Sequence, residues 1–292
     1  MHRTPPSGRP RRRRRAALLL AALLLAAGCS GPAAPPMTIS GLRWMVSQAN
    51  FDRLAGAAPG LAGELLSSSE LVVVRTRPGQ RPGDPALTTD LPLGAVPAEL
   101  FKSYEHFAEQ VRDRAIAAGV RVVVYDPESW PATPLRERLD PMRYLALFAR
   151  TARAHGYRAV LAPGRDLTLT KGGACAKRQG ERVGEAYVRC GIPRSAADAP
   201  VFVIQAAPQE LDLPALRELV AASARQARAA NPHVVLIATI STAPGGVPAS
   251  PAAIRRAAET MRPYVQGFML NMTAATTPAA VAFLRALPTG LP

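Results

Sequence analysis

Apolar residues along this chain fall into two recurring patterns. The first is short and nearly continuous, as in Val122-Val123-Val124 and Val234-Val235-Leu236-Ile237. Such runs predict strands buried on both faces, as in a parallel sheet. We expect strands at Leu71–Arg75, Val120–Tyr125, Arg158–Leu161, Pro200–Gln205, His233–Ile240 and Val265–Asn271, with Trp44-Met45-Val46 as a candidate seventh. The second pattern steps by three and four residues. Leu100, Tyr104, Phe107 and Val111 would share one helix face. Gly119 would stop that helix in a left-handed C′ position. Asp140-Pro141, Ser250-Pro251 and Thr277-Pro278 predict three helix starts. Each offers an N-cap side chain and then a proline whose missing N–H is not needed there. A helix opening near Asp212 should end at Asn231-Pro232.

Strand starts at 120, 158, 200, 233 and 265 have the spacing of repeated βα units. The expected class is α/β, as a (β/α)8-type barrel, complete or imperfect. The alternative is an open doubly wound parallel sheet. No Gly-x-Gly-x-x-Gly follows the first strand, which argues against a dinucleotide-binding fold.

Polar residues cluster where these strands end. Tyr125-Asp126-Pro127-Glu128-Ser129-Trp130 follows one strand and Gly164-Arg165-Asp166 another. Gln205 leads to Gln209-Glu210, Ser241-Thr242 follows the next run, and Asn271 closes the last. In parallel α/β folds the C-terminal strand ends share one face, and that face carries the site.

Asp126 and Glu128 alternate along an extended segment, so their side chains point the same way. A carboxyl in a partly apolar mouth beside Trp130 would have the raised pKa a general acid needs. Asp166 and Glu210 are candidate second carboxylates, and hydrolysis of a glycosidic bond needs two. Trp130 offers a face to a sugar ring. Gln205 and Asn271 suit hydroxyl groups, because an amide both donates and accepts. Each candidate also has a structural reading. Asp126 would cap a turn before Pro127, and Glu128 would pair with an arginine. Asp166 would cap its loop, and Glu210 would sit in the first turn of the next helix. The four histidines have no metal-ligand spacing, so no metal is expected, and no cofactor is expected either. No Gly-x-Ser-x-Gly elbow supports a Ser-His-Asp hydrolase.

Composition and charge change the picture mainly through the N-terminus. Arg11 to Arg15 form a basic run, Ala16 to Gly28 are apolar or small, and Cys29 follows. A basic n-region, an apolar h-region too short to span a bilayer and small residues before a cut site predict a secretory signal over 1–28. That segment holds seven arginines and no acid, so its removal lowers the formal charge from +15 to +8. The remaining excess is scattered arginine, with lysine only at 102, 171 and 177. No nucleic-acid signature accompanies it, and no nucleic-acid partner is expected.

Residues 30–40 follow Cys29 as a flexible tether, rich in small residues and proline, and 41–292 read as one domain. With Cys29 set apart, Cys175 and Cys190 remain, and in an oxidising compartment two such cysteines are best read as a disulfide. The segment between them carries Lys177, Arg178, Arg182 and Arg189, and would be either a stapled lid or recognition loop or an ornament that only stabilises.

Leu23 to Cys29 resembles the bacterial lipoprotein signal, with Ala26 where that family usually has Leu. The resemblance implies diacylglyceryl attachment at Cys29, cleavage before it and residence on the outer face of the cell membrane. Two acyl chains give stable attachment where one is marginal. Tyr125 to Trp130, Ile204 to Glu210 and Gly267 to Asn271 together look like barrel proteins related to glycoside hydrolases. They also look like exported lipoproteins of high-GC Gram-positive bacteria. The resemblance implies a hydrolase-like domain acting on an extracellular glycan or wall polymer, with Glu128 as acid and Asp126 or Asp166 as base or nucleophile. The alternative is a lipoprotein that binds such a polymer without turnover.

Overall fold

The computed structural model describes residues 42–68, 71–75 and 95–287. The expected signal over 1–28, Cys29 and the tether to residue 40 lie outside the described residues. Among the described residues there are eight strands, most of them from the apolar runs: β1 (Arg43–Ser47), β2 (Leu71–Arg75), β3 (Val96–Phe101), β4 (Val122–Tyr125), β5 (Arg158–Leu161), β6 (Val201–Ile204), β7 (Val235–Ser241) and β8 (Gly267–Asn271). Neighbours in sequence pair in parallel, and β8 returns to pair with β1, with Arg43 opposite Gly267 and Val46 opposite Leu270. A Cβ on Gly267 would run into the Arg43 backbone, so this seam requires glycine. The chain is an α/β protein with one curled, all-parallel sheet and helices between its strands.

Trp44-Met45-Val46 lies in β1, as expected. β3 was not expected, and it corrects one helix. Leu100 belongs to β3, where its neighbours in the ladder are strands β2 and β4. The helix begins only at Tyr104 and runs to Arg112, with Ser103 Oγ accepting from the His106 N–H. Gly119 does have a positive φ of 88°. It does not terminate that helix, because Asp113 is already the C-cap.

Two of the three proline-marked starts follow their sequence signal. Asp140 accepts from the Arg143 N–H ahead of helix Pro141–Ala154, and Ser250 accepts from the Ala253 N–H ahead of helix Pro251–Met261. At the third the cap shifts by one residue. Thr277 is the first helical residue of Thr277–Arg285, with Thr276 before it, and its hydroxyl donates back to the Thr273 carbonyl. Helix Leu213–Ala230 opens on Asp212 and closes on Asn231, as expected.

Alternation along the strands sorts the core into two faces. Met45, Ala98, Val124, Val160, Val203 and Ile237 pack together inside the curl of the sheet. Trp44, Phe101, Tyr125, Phe202 and Phe268 face the other way, among the helices. Leu100 and Met269 also pack on the interior set. One step further along the same register come Lys102, Asp126, Gln205 and Asn271. Thus the strand period delivers these polar residues to the C-terminal mouth.

Cys175 and Cys190 are bonded, with Cα atoms 5.3 Å apart. Two of the basic residues they enclose, Arg182 and Arg189, turn onto acids close by. Arg189 Nε donates to Glu181 Oε1 at 2.6 Å, and Arg182 Nε donates to Glu185 Oε1 at 2.7 Å. Among the described residues, no helix is long and apolar enough to cross a membrane.

Candidate functional site

The segment after β4 stays extended because its backbone continues the ladder. The Asp126 N–H donates to the Phe101 carbonyl at 2.9 Å, and the Gly164 N–H donates to the Pro127 carbonyl at 2.8 Å. This keeps Asp126 and Glu128 on one side, as their spacing predicts. Thr133 then closes the turn, its hydroxyl accepting from the Glu128 N–H at 3.1 Å.

Asp166 enters from the turn after β5. Its Oδ2 accepts from the Ser129 N–H at 2.9 Å, while its Oδ1 is buried with no partner among the described residues. Between Asp166 and Glu128 lies Gly164, where a Cβ would clash with Asp166 Oδ1 and Glu128 Cγ. The missing side chain is what allows the two carboxyls to converge. Neither Asp126 nor Glu128 pairs with an arginine among the described residues.

Asp126 is only 9% exposed, and its Oδ1 accepts from Gln205 Nε2. Burial pushes its carboxyl up to about 8, with the Glu128 and Asp166 charges adding to the rise and Lys102 opposing it. Glu128 is pushed up to about 7, by burial first and by the Asp166 charge second, again against Lys102. Asp166 is raised by burial, but the Ser129 N–H and further backbone donors hold it down. Three neighbouring acids therefore differ in environment. Asp126 and Glu128 favour the proton, and Asp166 has the donors that favour its charge.

Lys102 was not singled out from the sequence, because its place depends on β3. Its Nζ stands 4.0 Å from the centre of the Trp130 ring, within cation–π range. This corrects the simplest picture of Trp130, since the ammonium already covers one face of the ring. The indole Nε1 is buried without a partner among the described residues.

Glu210 stands apart from the three acids. It does not lie in the first turn of a helix; it ends the short turn Ala207–Gln209, and the next helix starts at Leu213. Its Oε1 accepts from the Ser241 N–H at 2.7 Å. Burial pushes its carboxyl up to about 8, opposed by that N–H. Thr239 secures the same turn, its hydroxyl accepting from the Ala206 and Ala207 N–H groups. Asn271 lies opposite Ser241 in the ladder, half-buried, and its side-chain amide bonds to no described residue. The structure thus groups Asp126, Glu128, Asp166, Gln205, Trp130 and Lys102, and places Glu210 and Asn271 further round the strand ends.

Glu137 is a buried acid that the sequence did not flag. It is fully buried and accepts from the Ser103 hydroxyl, the Tyr104 and Glu105 N–H groups and the Tyr125 hydroxyl. It binds the first turn of helix Tyr104–Arg112 to the Tyr125 hydroxyl at the end of β4. Nothing about its amphipathic sequence context announces that role.

Among the described residues, no group of three or more His, Cys, Asp or Glu is arranged to hold a metal ion. No protein-family model matches the chain, and no curated protein matches it at a significant level. The functional reading therefore rests on the chemistry of the mouth.

Proposed function

We propose that this protein is a membrane-anchored, glycoside-hydrolase-like enzyme on a (β/α)8-type barrel, acting on an extracellular glycan or wall polymer. The β8–β1 pairing supports the barrel. The observation that carries the activity is the convergence of Glu128 and Asp166 across Gly164. One acid holds its proton to about 7, and the other has backbone support for its charge. Glycosidic hydrolysis needs that pair, one to protonate the leaving oxygen and one to act as base or nucleophile.

Glu128 is the general acid in this reading. Asp166 is the base or nucleophile. Asp126 is too buried for that task; it stays protonated and fixes the Gln205 amide. Gln205 binds substrate hydroxyls, the Trp130 ring offers its face to a sugar, and Lys102 moderates both raised carboxyls.

The test is product detection by mass spectrometry after incubation with aryl glycosides and peptidoglycan fragments. Turnover lost in Glu128→Gln, with binding retained, supports the enzyme. Saturable binding without product in the unaltered protein favours a binding lipoprotein instead. The anchor rests on the sequence of residues 11–29 alone. Cys29→Ser should move the protein from the detergent phase to the aqueous phase in a partition assay. A variant that stayed membrane-bound would remove the lipoprotein part of the proposal.

A further inference from the structure

Lys102 is the first residue past β3, and Asp126 is the first past β4. Phe101 and Tyr125 are partners in the ladder, and the Asp126 N–H donates to the Phe101 carbonyl at 2.9 Å. The register therefore sets the lysine beside the acids of the mouth. Lys102 is half-buried, and its Nζ stands 4.0 Å from the centre of the Trp130 ring. It forms no hydrogen bond or ion pair with any described residue. An ammonium carries three donors, and a ring face engages it from one side only.

The other donors near the acids are spent or out of reach. Both N–H groups of the Gln205 amide are used, on Asp126 Oδ1 and on the Ala162 carbonyl, which leaves its oxygen, an acceptor. The Ser129 N–H serves Asp166, and the Glu128 N–H serves Thr133. The Trp130 Nε1 is buried, and Arg165, next to Asp166 in sequence, is only 7% exposed. Asp126 and Glu128 do not neutralise the lysine. Neither forms an ion pair with it, and burial keeps the proton on them to about 8 and about 7. Of the six residues grouped in the mouth, Lys102 alone presents an open positive charge.

We propose that the sugar bound in this mouth carries a carboxylate and that Lys102 receives it, so that the substrate is an acidic glycan built of hexuronic acid units. This deepens the glycosidase reading and rests on it for the turnover of that glycan. A carboxylate forms a charge-assisted hydrogen bond with the ammonium, roughly twice as strong as the neutral bond that a sugar hydroxyl would form. The two acids nearest the lysine add no repulsion while they hold their protons. A phosphomonoester would bring a second charge that no other cation of the mouth matches. Lys102 therefore sets specificity, beyond moderating the two carboxyls.

Titration calorimetry of the full chain at mildly acid pH tests it, with oligogalacturonate, oligoglucuronate and oligomannuronate, each beside its neutral methyl ester. At least one acid is expected to bind saturably, about tenfold or more tightly than its ester. That advantage should shrink in about 1 M sodium chloride, where the screening length is about 3 Å. Lys102→Met should bring the acid down to the affinity of its ester, and Lys102→Arg should keep most of the preference. If Lys102→Met fails to fold, the ester comparison and the salt dependence of the unaltered protein decide. The inference is overturned if no acid binds more tightly than its ester, or if folded Lys102→Met keeps the full preference. Binding is read without turnover, so the two readings fail separately. Hexuronate binding through Lys102 with no product supports the acidic ligand and removes the hydrolase. Turnover of a neutral glycan without any acid preference keeps the hydrolase and overturns the ligand class.

Discussion

Gln205 Nε2 donates to Asp126 Oδ1 at 3.3 Å, and the same amide reaches the Ala162 carbonyl at 3.3 Å. One side chain thus ties together the ends of β4, β5 and β6. It also holds a carboxyl that burial keeps protonated to about 8.

A pH dependence of stability follows from that carboxyl. Asp126 starts from an ordinary value of 3.8, so in the unfolded chain it ionises well before it does in the fold. The folded state therefore binds more protons from about pH 4 to about pH 8, and stability falls as pH rises through that window. Glu210 acts in the same direction between 4.5 and about 8. Each group contributes a slope on the order of 1 kcal/mol per pH unit. Thermal melts at pH 5, 6, 7 and 8 should show a falling midpoint, and Asp126→Asn should flatten the fall. A midpoint that rose with pH would contradict the assignment.

Glu128 links protonation to turnover. A general acid must carry its proton, so activity should decline about tenfold per pH unit above about 7. Glu128→Gln should lower kcat by about 10²- to 10⁴-fold while the circular dichroism spectrum stays unchanged. Steady-state rates across pH 5 to 9 measure both effects.

Lys102 tests whether the mouth acts as one electrostatic unit. Its positive charge pulls down both Asp126 and Glu128. Lys102→Met should raise both carboxyls and shift the alkaline limb of the rate profile to higher pH. Loss of the ammonium over Trp130 should also change the intrinsic tryptophan emission. An unmoved alkaline limb in a folded variant would separate Lys102 from Glu128.

Glu137 carries stability rather than chemistry. Removing its carboxylate leaves the Ser103, Tyr104, Glu105 and Tyr125 donors without their acceptor inside the protein. Glu137→Ala should destabilise by at least about 3 kcal/mol, and Tyr125→Phe, which removes one donor, by about 1 kcal/mol. Urea denaturation distinguishes the two.

The parallel α/β class was legible because the strands are continuous apolar runs, and β4, β5 and β7 announce themselves in this way. β3 was not legible. Its sequence, Val96-Pro97-Ala98-Glu99-Leu100-Phe101, contains a proline and a charge. Leu100 also happens to stand four residues before Tyr104, which mimics a helical step. Missing β3 hid Lys102, whose position follows only from the strand that precedes it. Asp126 and Glu128 were legible because a period of two is a local property. The convergence of Glu128 with Asp166 was not, since it depends on Gly164 and on the pairing of β4 with β5. Glu210 misled for a related reason: a glutamate a few residues before a helix looks like a dipole partner, and only the register of β7 shows that Ser241 claims it.

The seam between β8 and β1 joins the first described strand to the last. Bringing such distant segments together is entropically costly, and non-local pairings slow folding. The sheet interior stays open to water until Gly267–Asn271 has left the ribosome and met Arg43–Ser47. During synthesis the unfinished chain therefore exposes strand edges that β8 will later cover, and its safe handling depends on how quickly that final strand arrives.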